Sequence, residues 1–138
     1  MSGVYARKRT LSQLQFFKTG HDLQVAITKY VMNDRYVPKK WRYNIGNRLI
    51  STVDNMMDNI VNANSIYPTN ELLLEQRSLF QTYANNNCYQ LQNQLIRLHE
   101  CVPTATMKSL LGIIKLLHYE KILLKGWKKS NKIMNVNN

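Results

Sequence analysis

The chain has little cysteine, and its two cysteines do not suggest a disulfide framework. Cys88 and Cys101 stand alone among 138 residues, without the repeated spacing of disulfide-rich secreted domains. A secretory signal is not visible, because Arg7, Lys8 and Arg9 are followed by polar sequence rather than by an apolar run. These features predict a protein of the reducing cytoplasm.

Long apolar runs are also missing. The most apolar stretch, residues 110–117, is short and is interrupted by Lys115, so it does not have the length or composition of a membrane span. We therefore expect a soluble protein without a membrane partner. A single chain of this length buries roughly two-thirds of its surface on folding, which is enough for one domain with its own core.

Acidic residues are scarce. The chain has 8 Asp and Glu against 19 Lys and Arg, a formal net charge of +11. Solubility alone is usually met by a net charge of magnitude about 2–8, although a solvated basic surface remains an alternative explanation. The excess favours an acidic partner, either a nucleic acid or an anionic surface.

Recognisable catalytic constellations are absent from the sequence. The acids Asp54 and Asp58 share a helix face without a histidine, which is typical of a solvated surface. His99, Cys101 and Cys88 lack the spacing of zinc ligands, and we interpret them as buried cysteines with a surface histidine. The sequence therefore predicts a protein that is not an enzyme and has neither a cofactor nor a metal.

Three prolines, Pro38, Pro68 and Pro103, divide the chain into four segments, each of which predicts a helix. The first two helices are expected over about residues 11–34 and 39–64, and the last two over about 70–99 and 104–129, with Thr69 or Asn70 as a cap and Pro103 in the first turn of the fourth. Around this bundle, at residues 11–132, we expect a basic N-terminal tail (1–10) and a disordered C-terminal tail (133–138).

Apolar residues recur in these segments at steps of three and four, which is typical of one buried helix face. Short connections make successive helices antiparallel neighbours, so the predicted fold is all-α, an up-down-up-down antiparallel four-helix bundle. The expected buried faces are Leu14, Phe17, Leu23, Ile27, Tyr30 and Val31; Ile45, Leu49, Val53, Met56, Met57, Ile60 and Val61; Leu73, Phe80, Ala84, Leu91, Leu95 and Leu98; and Met107, Leu110, Leu111, Ile114, Leu117, Leu124 and Trp127.

The start of the second predicted helix carries cations where the helix dipole disfavours them. Lys39, Lys40, Arg42 and Arg48 occupy its first three turns without any acid, although a helix N-terminus already carries about half a positive charge. An anion would compensate, and at this density a phosphate backbone is the simplest choice. These four residues are our first candidates for nucleic-acid binding.

The opposite end of the predicted bundle is also basic. Lysines near the end of the fourth helix have two possible explanations, because the helix dipole favours them there and phosphates would bind them too. The N-terminal cations resemble a disordered arm that orders on a nucleic acid. The candidates at this end are Arg7, Lys8, Arg9, Lys125, Lys128, Lys129 and Lys132.

Aromatic residues accompany both basic clusters. Trp41 and Tyr43 alternate with Lys40 and Arg42, as in a surface that stacks unpaired bases, but packing at the bundle end would also explain Trp41. Trp127 is in register with the apolar face of the fourth helix. We expect it to pack against the core or against a neighbouring subunit.

Several of these segments resemble one known family. Residues 38–48 (PKKWRYNIGNR), the later pairs Ala63-Asn64 and Tyr67-Pro68, and residues 123–130 (LLKGWKKS) are similar to motifs of the Avd family, the accessory variability determinants of diversity-generating retroelements. Residues 12–18 (SQLQFFK) resemble a subgroup of these bacterial and phage proteins. The likeness extends from about residue 11 to residue 132. The Avd family itself belongs with the four-helix-bundle proteins first seen in ribosomal RNA intervening sequences.

The resemblance implies a basic, ring-like homopentamer of four-helix bundles. It also implies binding to RNA, to DNA and to the reverse transcriptase of the element, in support of mutagenic reverse transcription. Carried over, Lys39, Lys40, Arg42 and Arg48 occupy the basic start of the second helix, and Trp127 with Lys128 and Lys129 the C-terminal element. The alternative is a basic scaffold or RNA-associated bundle that acts without a reverse transcriptase.

Overall fold

The computed structural model describes the backbone of residues 3–135 and the side chains of residues 15–135. Its helices are α1 (Gly3–Val31), α2 (Lys39–Trp41), α3 (Asn47–Asn64), α4 (Glu71–Cys101) and α5 (Met107–Lys129), with a π-helical turn at Arg42–Gly46. Because α2, the π-helical turn and α3 follow one another without a break, they form one helix of the bundle. Four helices pack against each other with no strand in residues 3–135, so the all-α prediction is confirmed.

Two of the helices begin with a side-chain cap. The Asn70 side chain accepts a hydrogen bond from the backbone N–H of Leu73 at 2.9 Å, as the sequence suggested. The start of the last helix differs from the prediction, because Thr106 caps it by accepting from Ser109 at 3.2 Å. Pro103 therefore lies in the α4–α5 loop and not in the first helical turn.

The structure describes the two segments predicted as tails, residues 1–10 and 133–138, only in part. The backbone of residues 3–10 belongs to α1, although their side chains lie outside the part that is described. Residues 133–135 are not helical, and the backbone N–H of Met134 donates to the Pro68 carbonyl at 2.8 Å. Residues 1–2 and 136–138 lie outside the described chain. None of the helices within it combines the length and the apolar character needed to cross a membrane.

Contacts between neighbouring helices show that each runs antiparallel to the next. On the α1–α5 seam, Phe16 stacks on Trp127 with ring centroids 4.1 Å apart, and the Tyr30 and Ser109 hydroxyls are 2.7 Å apart. On the other seams, too, an earlier residue of one helix meets a later residue of the next, as in Gly20 with Met57 and Val31 with Gly46, and in Gln92 with Lys121 and Thr82 with Lys128. Hydrogen bonds follow the same order, with Gln24 to Asp54 at 2.7 Å between α1 and α3, and Gln94 to Thr52 at 2.9 Å and Asn59 to Asn87 at 2.8 Å between α3 and α4.

The core follows most of the predicted apolar faces, although Met57, Leu73, Phe80 and Ile114 are only partly buried and the side chain of Leu14 lies outside the described part. Phe16 is buried, whereas its neighbour Phe17 is only partly buried, because the end of α5 packs on the Phe16 side of α1. Val61, Met107 and Leu111 were expected in the core but are about half exposed. These three side chains widen the apolar stripes of their helices beyond the width that the neighbouring helices cover.

Gly46 lets the π-helical turn approach α1 closely. A methyl group added at Gly46 would lie 2.7 Å from Cγ1 of Val31 and 3.4 Å from Cγ1 of Val37, and both valines are fully buried. Valine side chains are stiff at χ1, so the neighbours have little freedom to move. The second helix therefore depends on glycine at this position to pack at this distance.

We expect the G46A variant to be destabilised by about 1–3 kcal/mol through overpacking. The matched control is G112A, because a methyl group at Gly112 in α5 would meet nothing within 4 Å and alanine favours the helix by up to about 1 kcal/mol. Urea unfolding of both variants measures the difference. A G46A protein as stable as G112A would show that the turn relaxes without cost.

Candidate nucleic-acid interface

The start of the second helix presents two unneutralised lysines. Lys39 and Lys40 in α2 are exposed, the residue before them is Pro38, and no side chain caps the helix. Neither lysine has a carboxylate partner among residues 15–135, and α2 has no acid in its first turn. The Lys40 ammonium lies 5.4 Å from the centroid of the Trp41 ring, a cation–π arrangement. This end of the bundle is called the Lys39 end below.

Arg42 differs from the other predicted phosphate ligands because its guanidinium is already engaged. Its Nε donates to the Val31 carbonyl at 3.1 Å, and its Nη2 donates to the Val37 carbonyl at 3.2 Å and to Asp34 Oδ1 at 2.6 Å. The side chain is only 15% exposed. Val31 ends α1, so Arg42 satisfies a helix-terminal carbonyl and joins the corner between α1 and α2. We assign Arg42 a structural role and do not include it in the interface.

Two other candidates near the π-helical turn are accessible. Arg48, the second residue of α3, is exposed, and Tyr43 is 85% exposed. Trp41 is partly buried and packs against the core, which agrees with the packing explanation rather than with an open stacking surface. At the Lys39 end the accessible set is therefore Lys39, Lys40, Arg48 and Tyr43.

The candidates near the other end of the bundle, called the Trp127 end, are mostly exposed. Trp127 itself is buried against Phe16, and the Arg77 guanidinium lies 5.4 Å from its ring centroid. Arg7, Lys8 and Arg9 belong to the part of α1 whose side chains are not described. The exposed lysines at this end are Lys125, Lys128, Lys129 and Lys132.

The structure does not bring the two basic clusters together. The Lys39 end contains the α4–α5 loop, because the Thr104 hydroxyl donates to the Tyr36 carbonyl at 2.7 Å. The Trp127 end lies a full helix away, and α5 with its 23 residues spans about 35 Å. Any ligand that touches both clusters must therefore extend along the bundle.

A further basic surface lies on the seam between α4 and α5, where the predicted candidates Lys125 and Lys128 are joined by Lys121, which was not among the candidates. The Lys121 ammonium donates to Gln92 Oε1 at 2.9 Å and lies 4.3 Å from the centroid of the Tyr89 ring. The Lys128 ammonium donates to the Thr82 hydroxyl at 2.7 Å. Lys121, Lys125 and Lys128 fall at steps of four and three, which is a sequence signal for one helix face.

Lys125 completes this surface, since its ammonium lies 5.7 Å from the centroid of the Tyr89 ring. A hydrogen bond from Lys125 lowers the pKa of the Tyr89 hydroxyl, and the positive charges of Lys125 and Lys121 act in the same direction. The ring and hydroxyl of Tyr89 thus accept two ammonium groups. We call Tyr89, Gln92, Thr82, Lys121, Lys125 and Lys128 the lysine seam.

A buried carboxyl lies inside the bundle. Glu120 in α5 is fully buried, and neither of its oxygens has a hydrogen-bond partner among the described residues. It faces Gly20 of α1, where an added methyl group would collide with Oε2 and with the sulfur of Met57 from α3. Burial raises the pKa of Glu120 to about 8. A signal was present in the sequence, because Glu120 occupies a core position between Leu117 and Leu124.

The cysteine and histidine residues are arranged differently from the prediction. Cys88 is buried and its thiol lies 3.6 Å from the sulfur of Met56, but Cys101 is exposed at the end of α4, so only one cysteine is in the core. The ring Nδ1–H of His99 donates to the Ala105 carbonyl at 2.8 Å and holds the α4–α5 loop. Over residues 15–135, no three His, Cys, Asp or Glu side chains are grouped to hold a metal.

Comparison with known proteins identifies no relative of this chain. No family model, curated protein or solved structure matches the chain.

Proposed function

We propose that this protein is a non-catalytic accessory protein that binds nucleic acid through its phosphates and supports the reverse transcriptase of a diversity-generating retroelement. One observation carries the nucleic-acid part of this proposal. Exposed cations at both ends of the bundle and along the lysine seam have no carboxylate partner among the side chains of residues 15–135. They include Lys39, Lys40, Arg48, Lys125, Lys128, Lys129 and Lys132, together with the half-buried Lys121.

Electrostatics explains why such a surface suits a polyanion. Unpaired ammonium groups release the counterions condensed on nucleic acid when they meet its phosphates, and this release drives association. A basic surface kept only for solubility would not need cations at a helix N-terminus, where the dipole opposes them. The reverse-transcriptase part of the proposal rests on the resemblance of residues 38–48 and 123–130 to the Avd motifs.

Self-association is part of the same proposal. Large apolar side chains are exposed on the outer sides of α4 and α5, and Leu72 reaches 64% exposure. On α4 the set Leu72, Leu79 and Tyr83 falls at steps of seven and four, which places it on one stripe. Exposed apolar stripes are typical of surfaces that a partner covers. A pentamer would appear in light scattering at about five times the 16.2 kDa of one chain.

The proposal predicts a steep dependence of binding on salt. If about six phosphates are contacted on duplex DNA, a plot of log affinity against log salt has a slope near −5. Fluorescence anisotropy with labelled RNA or DNA measures this slope. A flat response would contradict phosphate binding and would favour a scaffold whose basic surface meets an acidic protein instead.

One triple variant tests the contribution of Lys39, Lys40 and Arg48 to nucleic-acid binding. Replacing these three by glutamine should weaken binding to every sequence alike and reduce the magnitude of the slope by about 2–3, while helicity stays unchanged. Co-purification of the reverse transcriptase with the wild-type protein after nuclease treatment tests the partner. Strong RNA binding without any such complex would favour the RNA-associated alternative.

A further inference from the structure

The stretch of α4 that faces the lysines of α5 contains no charge at all. Between Arg77 and Arg97, residues 78–96 include neither an acid nor a base, and the sequence there is rich in amides. On α5 the single acid is Glu120, which is buried. The three seam lysines therefore lie against neutral partners only, so their charges remain available to a ligand.

Neutral partners also hold these ammonium groups in place. Gln92, Thr82 and the Tyr89 ring each contact at least one seam lysine, at distances of 2.7–5.7 Å. Successive lysines are separated along the helix axis by about 6 and 4.5 Å. This arrangement forms a row of positioned positive charges that suits the regularly spaced phosphates of one extended strand.

Groups that suit unpaired bases lie beside this row. Tyr89 is 45% exposed, and the amides of Gln92 and Asn93 are exposed on the same helix. Amide side chains hydrogen-bond the edges of bases, and aromatic rings stack on their faces when the bases are not paired. In a duplex these faces are covered, so this surface matches a single strand better.

The seam continues into an apolar groove between α4 and α5. The groove has a volume of about 420 Å³, and its lining includes Gln92 and Lys121 of the seam together with Leu95, Ile96 and Leu117. Its one acid, Glu100, lies about two helical turns beyond Gln92, toward the Lys39 end. The groove thus offers apolar walls to a planar base next to the positive row.

From these observations, and resting on the nucleic-acid binding proposed above, we propose that the lysine seam binds single-stranded nucleic acid. Lys121, Lys125 and Lys128 contact successive phosphates. Tyr89 stacks on an unpaired base, and the neighbouring amides contact base edges. The seam runs from the middle of α5 to the Trp127 end, so a strand bound there runs along the helix axis and reaches the lysines at that end.

Two sets of three glutamine substitutions test the phosphate contacts. K121Q/K125Q/K128Q removes the seam charges, and the matched control K29Q/K108Q/K115Q removes three exposed lysines of α1 and α5 that lie off the seam. We expect the seam variant to lose at least about tenfold in affinity for an unstructured RNA, and its salt slope to shrink in magnitude by about 2. The control should lose clearly less. Equal losses of RNA affinity in the two variants would show that the lysine seam is not the binding site.

Substitutions at Tyr89 test whether the lysine seam prefers single-stranded nucleic acid. The Y89L variant should bind the same RNA about tenfold more weakly and a duplex of equal length nearly as well as wild type, whereas Y89F keeps the ring and should bind both normally. Equal losses for single strand and duplex would overturn base stacking at Tyr89. Unchanged melting temperature and helicity confirm that the variants are folded.

The two proposals fail in different ways. If wild-type protein binds neither RNA at low salt, the proposed function is wrong and the seam is wrong with it. If wild-type protein binds RNA and the seam variants bind equally well, while the K39Q/K40Q/R48Q variant does not, nucleic-acid binding stands and the seam is not its site.

Discussion

Raising the pH from about 4.5 to about 8 is expected to destabilise this protein by roughly 5 kcal/mol through Glu120 alone. The ordinary pKa of the carboxyl is 4.5, and burial raises it to about 8 in the folded protein. Between these values the folded state holds a proton that the unfolded chain has released. Each added pH unit in that window therefore favours the unfolded chain by about 1.4 kcal/mol.

Among the described residues, the groups that face Glu120 from α1 and α3 are uncharged. Gly20 on α1 and Met57 on α3 carry no charge. On α4 the charge of Glu120 acts on Cys88, whose pKa is raised to about 12, first by burial and then by that charge. The thiol therefore stays neutral throughout the window. Glu120 ionises without a partner, which is the costly case for a buried charge.

The E120Q variant isolates this effect. Glutamine has nearly the same shape and no charge, so we expect it to match wild type near pH 4.5 and to be more stable by several kcal/mol above about pH 8. Urea unfolding at several pH values measures the difference, and E75Q, which removes an exposed carboxyl of α4, serves as the control. A stability difference between E120Q and wild type that does not change with pH would contradict a buried, titrating carboxyl.

Replacing Arg42 is expected to cost stability rather than nucleic-acid affinity. The R42M variant keeps most of the apolar stem of the side chain but leaves the carbonyls of Val31 and Val37 without their donor. Buried acceptors without partners and the loss of charge-assisted bonds together predict a loss of about 3 kcal/mol. The R42K variant should recover only part of the lost stability, because an ammonium cannot reproduce the forked hydrogen bonds of a guanidinium.

The partner Asp34 provides a contrast. Its side chain is 70% exposed, so the D34N variant should cost less than about 1 kcal/mol, as surface ion pairs do. Denaturant unfolding of R42M, R42K and D34N, followed by RNA titration of each folded variant, separates the two roles. If R42M were as stable as wild type but bound RNA poorly, Arg42 would be a phosphate ligand and our structural assignment would be wrong.

The sequence alone predicted the four helices and their approximate limits, because those depend on local features. Three prolines mark the breaks, Asn70 caps α4, and apolar residues recur at helical steps. The basic start of the second helix was visible for the same reason. Lys39, Lys40 and Arg48 are exposed as a solvent-facing interface requires, although their contact with phosphates remains a prediction.

Only the tertiary structure decided how each side chain faces its neighbours. Packing between helices sets the rotation of each helix about its own axis. This rotation places Arg42 against the end of α1, buries Glu120 opposite Gly20 and leaves Cys101 exposed. The lysine seam also needs two helices, since Tyr89 and Lys121 are 32 positions apart in the sequence. Periodicity specifies which residues share a face of one helix, whereas contact between faces of different helices depends on the assembled bundle.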